Sequence, residues 1–516
     1  MPGAAGPEQY AYRQTPMRIG RNLAAGFASS VCTALIGLAV VPFYVKYLGQ
    51  EGYGLIGFLA TAQAVFQVLD LGLATGINRE IAREAQSGNL SGAPALLHTV
   101  AAIYWAMAGV IALAMLALSH SIAAHWLSAE KLAFGDLALA VTLIGLVIAA
   151  RWPGQLYQGA LMGAQRIVVS SALSIALVTL GSGGAVLVLA FVSPSVSAFL
   201  LWQAGVGLAY TLAARAASWR ILGRERVRID RSQLRRIWRF SAGVTAITIA
   251  GMVLGQLDKL VLSKMLSLAE YGQYMIAFTL AGTLYLLSGP LFNAVYPRFS
   301  GLVRSGETER LGQAYRLATR LLGAVLFPLA MLLSVFPEEL IQAWTGDAGL
   351  ARGARLLLPI LAIGTALHGV MYVPFALQLA YGTTRLQLTI NALLLVIAAP
   401  LTVFLVLHYG ALGGALAWLS LHSLYMVFGT WLTHRHLLKG LGAKWIALDV
   451  GVPLAVSALV GLLAHGWTAS SDFSVPARLA CGAVWALIAF ALVVVVSPAL
   501  RVAALQRFRG VAYRIS

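Results

Sequence analysis

Asp70, Asp258 and Lys259 stand out among the ionisable residues inside the long apolar runs of this chain. A charge near the centre of a bilayer costs at least ~2.5–3.5 kcal/mol, so each needs a partner or a task. Proton or ion exchange, contact with a polar solute, and an interhelical ion pair are the chemistries open to them. Neighbours on a helix point about 100° apart, so Asp258 and Lys259 are not expected to face one partner. A salt bridge to another helix, a snorkelled Lys259 and a coupling or substrate contact all remain open. Asp70 belongs to a longer pattern. Gln63, Gln67, Asp70 and Asn78 recur at i, i+4, i+7 and i+15, near one face of a single helix. Amides and a carboxylate in that order suit hydrogen bonding to hydroxyl groups.

Catalytic machinery does not accompany them. The sequence shows no carboxylate cluster, metal-ligand spacing or nucleotide-binding loop, so no cofactor is expected and ATP is not a direct energy source. Cys32 and Cys481 both lie in apolar runs and form no disulfide or metal framework. His434-Arg435-His436 has the spacing of a ligand pair, but it sits in a basic loop and is expected to be solvated.

The elements that carry these residues are membrane helices. Hydrophobic residues make up 59% of 516 and charged residues 10%, too little charge to dissolve a chain of this length. The apolar residues come in unbroken blocks of about 18–25 residues, the length that spans ~30 Å of hydrocarbon as a helix. Fourteen spans are expected: Leu23–Val45, Tyr53–Ile77, Ala95–Leu118, Leu132–Ala150, Ile167–Val192, Val196–Ala217, Phe240–Ser263, Tyr271–Val295, Leu317–Phe336, Leu356–Tyr372, Leu386–Leu407, Ala411–Leu432, Ile446–Ala464 and Pro476–Val496. The formal charge of +18 follows topology rather than nucleic acid. With the N-terminus inside, the inner segments hold 29 of the 36 Lys and Arg residues and the outer ones 7, which places both termini in the cytoplasm.

The chain repeats itself. A shift of 218 residues lays Arg18-Ile19-Gly20-Arg21 on Arg236-Ile237-Trp238-Arg239, Lys46 on Lys264, Tyr53-Gly54 on Tyr271-Gly272 and Ser87-Gly88 on Ser305-Gly306. Over Arg18 to Gly88 there are 15 identities in 71 ungapped positions. Six spans per half is an even number, so the halves enter the membrane in the same sense and are related by a pseudo-two-fold along its normal. Parallel repeats of this kind are a transporter architecture, with the substrate between the halves. The expected fold is an all-α polytopic membrane protein of two six-helix bundles plus two C-terminal helices. Its segments are a tail at 1–22, bundles at 23–217 and 240–437 joined by a basic linker at 218–239, two further helices at 438–497, and a basic tail at 498–516.

Lys46-Tyr-Leu-Gly-Gln-Glu-Gly-Tyr-Gly54, Leu69-Asp70-Leu71-Gly72-Leu73, Asn78-Arg79-Glu80-Ile81-Ala82 and, in the second half, Leu257-Asp258-Lys259 with Ala269-Glu270-Tyr271-Gly272 together resemble the polysaccharide-transporter flippases of the multidrug/oligosaccharidyl-lipid/polysaccharide exporter superfamily. The resemblance implies that an undecaprenyl-diphosphate-linked oligosaccharide (an O-antigen or exopolysaccharide unit) passes from the cytoplasmic to the outer leaflet of a bacterial inner membrane. It also implies alternating access around a cationic cavity, with a polysaccharide polymerase and a chain-length regulator as further partners. A multidrug exporter of the same superfamily and an integral-membrane polymerase or ligase are the competing readings.

The 218-residue shift also carries the polar stripe onto the eighth span. It lands on Ala281, Tyr285, Ser288 and Tyr296, and the face extends to Phe278 and Tyr274. Amide and carboxylate groups on one helix and aromatic hydroxyls on its mate suit a sugar chain; packing between helices is the competing explanation. A diphosphate calls for cations, and Arg21, Arg79, Arg151, Arg239 and Arg298 stand at inner span ends, where topology alone also places arginine. Arg79 and Arg298 follow the striped faces directly. Gly72 and Pro290 lie near midspan on this pair and are where bending during opening is expected, with a static shape as the competing explanation.

Overall fold

The computed structural model describes the backbone of residues 16–87, 92–223, 231–469 and 473–502, with side chains from 28 onward except those of 231–244 and 246–248. Arg21 and Arg239 as side chains, the linker stretch 224–230, and residues 1–15 and 503–516 of the two tails lie outside the described residues. In order, the helices are α1 (Pro16–Phe66), α2 (Leu73–Gln86), α3 (Ala93–His125), α4 (Phe134–Gly163), α5 (Ile167–Val178), α6 (Gly184–Phe191), α7 (Val196–Leu222), α8 (Arg231–Met265), α9 (Leu268–Gly282) and α10 (Tyr285–Ser305). There follow α11 (Thr308–Val335), α12 (Pro337–Thr345), α13 (Ala348–Ala354), α14 (Leu357–Val370), α15 (Tyr372–Ala380), α16 (Thr384–Leu424), α17 (Thr430–His436), α18 (Gly442–Lys444), α19 (Val452–Ala469) and α20 (Val475–Val496).

The all-α membrane architecture expected from the apolar blocks is what forms. Among the described residues, eleven stretches are long and apolar enough to cross a bilayer. Two of them are too long for one crossing at 1.5 Å per residue: Ala28–Asp70 with 43 residues and Thr384–His436 with 53. Each contains a break, at Gly49 (φ 70°) and Gly410 (φ 55°), where a left-handed backbone turns the chain back.

The spans differ from their sequence outlines where polar residues had been taken as ends. The fourth runs on past Ala150 through Arg151-Trp152-Pro153 to Gly163. Arg151 is therefore corrected from an inner span end to a position 12 residues inside a helix, about 18 Å from its terminus. The second span does not stay straight. After Phe66 it tightens into a 3₁₀ turn at Gln67–Asp70, then breaks at Leu71 (φ 50°) and Gly72 (φ 70°) before α2 begins. The eighth breaks at Thr283–Leu284, a turn and a half before Pro290. Proline at that point cannot bond the Leu286 carbonyl and crowds it. The two repeat-related spans are thus bent in this structure, at Leu71–Gly72 in one and at Thr283–Leu284 in the other, which is the static shape and does not bear on movement during opening.

The chain divides into two compact units, one of residues 1–48 and 62–249, the other of 49–61 and 250–516. In the first, α4 is the central helix, packed by α2, α3, α5 and α7 and buried on most of its surface. In the second, α11 and α14 are central, and α19 and α20 lie against α11. A buried carboxylate holds that last contact. Asp449, on a π-helical turn at Trp445–Gly451, accepts from Arg316 Nε at 2.9 Å and also from Arg320 Nε. Trp445 Nε1 donates to Thr319 Oγ1 at 3.1 Å. His434 is likewise buried, bonded through Nε2 to the Tyr315 hydroxyl at 2.9 Å. The expectation of a solvated His434 is thus corrected: its helix turns it inward onto Tyr315 and Trp445, while His436 stays exposed.

Candidate functional site

In the first unit, Gln63 and Gln67 open onto a cavity of about 180 Å³. Across it, α4 presents Ile148, Arg151, Trp152, Gln155 and Gln158, and Tyr210 closes one side from α7. The α4 residues recur at i, i+3, i+4, i+7 and i+10, a single helical face. That stripe of arginine and two glutamines is readable in the sequence by the same spacing that found Gln63 and Gln67. A span ended at Ala150 leaves it out.

Arg151 is held in place by a relay that starts in the backbone. A π-helical turn at Thr179–Gly183 interrupts the i to i−4 ladder, and its carbonyls turn to side chains. Leu180 O accepts from Trp202 Nε1 at 2.8 Å, Ser182 O from the Tyr44 hydroxyl at 3.0 Å, and Gly181 O from Gln203 Nε2 at 3.2 Å. With its amide nitrogen so fixed, Gln203 turns Oε1 to Arg151 Nη2. Gly207 leaves room for the arginine stem, since a Cβ there would lie 2.7 Å from Arg151 Cγ. Arg151 Nε is buried without a hydrogen-bond partner, and no carboxylate pairs with the guanidinium among the described residues. A half-buried guanidinium with a spare donor among amides has the chemistry to bond an anion or an oxygen-rich solute.

The other candidates fall elsewhere. Asp70 accepts from the Tyr104 hydroxyl and from Ala74 N at 3.4 Å, at the N-terminus of α2 where a negative charge is favoured. The break at Leu71–Gly72 resets the helix phase, so Asn78 and Arg79 do not continue the face of Gln63 and Gln67; the single straight stripe is corrected on this point. Arg79 and Arg298 are exposed. The break at Thr283–Leu284 divides the matched stripe in the same way. Tyr285 shares a hydrogen bond with His368 Nδ1 at 2.7 Å, Ser288 is buried beside Gly369, and Tyr296 stacks on Phe292 at 5.9 Å.

Asp258 and Lys259 meet each other. Lys259 Nζ lies 3.1 Å from both Asp258 oxygens and donates to Gly255 O at 3.0 Å. The Tyr274 hydroxyl donates to Asp258 Oδ2 at 2.5 Å. Contrary to the expectation from the 100° spacing, both residues meet one neighbour, α9, because the lysine stem is long enough to fold back along its own helix. The ammonium then rests 3.8 Å from the Phe278 ring centre and 4.6 Å from that of Trp418. Such cation–π contacts are worth ~2 kcal/mol or more when desolvated. Tyr274 and this pair are buried.

A second feature of the second unit obeys the 218-residue repeat contact for contact. The Tyr271 hydroxyl lies 2.7 Å from Thr61 Oγ1, and the Tyr53 hydroxyl 3.5 Å from Thr279 Oγ1. Each threonine gives its proton to the carbonyl four residues back, Gly57 O and Met275 O, so each tyrosine is the donor. Gly54 abuts the Leu268 carbonyl and Gly272 the Gln50 carbonyl. Tyr53 and Tyr271, Thr61 and Thr279, Gly54 and Gly272, and Gln50 and Leu268 are all 218 apart. Pairing i with j and j with i is the mark of a two-fold contact. A Cβ on Gly57 would lie 3.2 Å from that of Met275, its own repeat mate, so the local axis passes between these two.

The comparisons with known proteins indicate a membrane transporter rather than an enzyme. A family model described as polysaccharide biosynthesis protein matches residues 19–303, more than half of the chain, and the MatE family model matches 244–404. The chain belongs to the polysaccharide biosynthesis protein family. It is 22% identical over 408 residues to a protein of Shigella flexneri described as "Putative O-antigen transporter", covering 78% of this chain and 94% of that one. Among solved structures it is similar to the lipid II flippase MurJ in an inward closed conformation (TM-score 0.68, 12% identity, 91% of this chain and 98% of that one). It is also similar to an inward-facing multidrug resistance MATE family transporter (TM-score 0.62, 16% identity, 78% and 94%).

Proposed function

We propose that this protein is a flippase that carries an undecaprenyl-diphosphate-linked oligosaccharide, an O-antigen or exopolysaccharide unit, from the cytoplasmic to the outer leaflet by alternating access. The observation that carries the reading is Arg151, a half-buried arginine whose buried Nε has no hydrogen-bond partner and which has no carboxylate partner among the described residues, set among amides that bond hydroxyls. The diphosphate meets Arg151, and the first sugars meet Gln63, Gln67, Gln155 and Gln158. An exporter of cationic drugs would want a carboxylate in this cavity, and none lines it. The O-antigen transporter of Shigella and the lipid II flippase support the same substrate class.

The test is transport in proteoliposomes, read as loss of a labelled lipid-linked oligosaccharide from the accessible leaflet. A hydrogen bond to a charged group contributes ~1.5–3 kcal/mol, so Arg151→Gln is expected to slow transport about 10–100-fold, with Arg151→Lys intermediate. Transport at the full rate in Arg151→Ala would remove diphosphate binding from this cavity.

The bacterial inner membrane is its proposed home, with both termini cytoplasmic as the 29-to-7 basic asymmetry requires. Alkaline phosphatase, active only outside, is expected to be inactive when fused after Ser516 and active when fused after Asp472. The reverse pattern would invert the topology and the direction of transport.

A further inference from the structure

The second unit holds its own cavity of about 340 Å³, between α8, α14, α15 and α16, within the ~300–1,000 Å³ range of small-molecule sites. Its walls are rings: His368, Tyr372, Phe375, Trp418, His422 and Tyr425 all line it. Two buried polar groups there are unsatisfied. His422 is 5% exposed, and neither ring nitrogen has a hydrogen-bond partner. Gln387 gives its amide nitrogen to Asn391 Oδ1 at 3.0 Å, which leaves Oε1 unpartnered. Each such group costs ~1–3 kcal/mol while it stays unbonded, and both line the same space.

His422 is not a loose side chain. It stacks on His368 with ring centres 4.3 Å apart and planes at 17°, and its edge meets Trp418 at 4.3 Å. Trp418 Nε1 is fixed on Thr365 Oγ1 at 3.1 Å, and His368 is fixed by Tyr285. The imidazole is thus clamped with its nitrogens unused. Lys259 stands behind Trp418, its charge already taken by Asp258, and no Lys, Arg, Asp or Glu lines the cavity.

We infer that this cavity is a binding site for one neutral pyranose ring, the ring's hydroxyls satisfying His422 and Gln387 Oε1 and its C–H face lying on the aromatic wall. A diphosphate is disfavoured because no cation faces it. An acyl chain or an apolar drug would fill the volume but leave the imidazole and the amide oxygen unbonded. The inference rests on the flippase reading only in taking the ring to be part of the carried oligosaccharide, and it assigns the sugar a second contact in a unit different from that of Arg151.

The test is saturation-transfer difference NMR on the full-length protein in nanodiscs. The probes are free glucose, galactose, N-acetylglucosamine and rhamnose, with inorganic pyrophosphate as competitor. At least one sugar is expected to give saturable transfer, strongest at the protons of its apolar face and unaffected by pyrophosphate. His422→Phe keeps the ring stack and Gln387→Leu keeps the volume; each is expected to weaken that signal at least about 10-fold, the loss of one hydrogen bond of ~1.4 kcal/mol. Two variants guard against one misfolding, and the midpoint of heat-induced loss of the monodisperse peak in detergent checks the folding of both. No saturable sugar, undiminished binding in both folded variants, or displacement by pyrophosphate would each overturn the inference. If wild type and His422→Phe both transport lipid-linked oligosaccharide at equal rates without sugar binding, this site fails and the flippase stands. If the sugars bind here but no lipid-linked oligosaccharide is ever moved, the flippase fails and the site stands.

Discussion

Asp449→Ala is expected to detach α19 and α20 from α11 and to lower the stability of the purified protein by about 3 kcal/mol. Breaking a buried ion pair from one side costs ~3–5 kcal/mol, because the abandoned charges stay in a poor solvent. The low end applies because the Arg316 side chain is 39% exposed and reaches water on its own, whereas that of Arg320 is 15% exposed. The surrounding cores, Met331 with Val460, Ala486 and Ala489, and Ala324 with Val493 and Leu500, remain apolar and cannot take up the stranded charge. The measurement is the midpoint of heat-induced loss of the monodisperse peak in detergent. A companion variant separates charge from packing. Asp449→Leu with Arg316→Leu and Arg320→Leu is expected to recover most of the loss, since an apolar replacement of a whole buried network is often neutral or stabilising. If Asp449→Ala melts with the wild type, the carboxylate does not hold the C-terminal pair.

Asp449 also shows where sequence reading stops. It lies in the interior of an apolar block as plainly as Asp70 does, yet it belongs to no stripe, and its two arginines are over a hundred residues away. Long-range pairing of this kind has no local signature. The apolar blocks, by contrast, are a local signal with one physical solution, so the all-helical architecture follows from block length and the absence of alternation. The 218-residue repeat was legible for the same reason: identical residues at matched places need no knowledge of contacts. The helical wheel failed wherever the helix itself failed. Gln63 and Gln67 precede the break at Leu71–Gly72 and line a cavity; Asn78 follows it and does not. Arg151 was misplaced for a related reason, since Arg-Trp-Pro reads as a span terminus. Pro153 is tolerated inside α4 where neighbouring helices supply partners, and Thr211 Oγ1 donates to Ala150 O at 2.7 Å beside it. The Asp258–Lys259 pair was legible as a pair of charges but not as a contact, because a wheel gives the direction of Cβ and not the reach of a four-carbon stem.

The largest effect on transport is expected at the two-fold contact between the repeat-related spans. A disulfide between cysteines at Gly57 and Met275, in a background with Cys32 and Cys481 replaced by alanine, is expected to form readily. The Cβ separation of 3.2 Å at these positions is close to the ~3.5–4.5 Å a disulfide needs. Gly54 and Gly272 make the approach possible. A Cβ at Gly54 would overlap the Leu268 carbonyl oxygen, and one at Gly272 would lie 2.5 Å from the Gln50 oxygen, so even alanine at either place pushes backbone against backbone. If the flippase proposal holds, this contact closes the outer side and must part once per cycle. The oxidised pair is then expected to reduce transport at least about 100-fold, and a reductant to restore it. A lipid-linked substrate is expected to change the rate at which the disulfide forms, because a ligand moves an equilibrium only through its different affinity for the two states. Gly54→Leu and Gly272→Leu approach the same point from the other side: by holding the spans apart they are expected to abolish the Gly57–Met275 disulfide and transport together. Full transport in the oxidised, quantitatively cross-linked protein would show that the contact is a fixed weld and that the substrate leaves by another route.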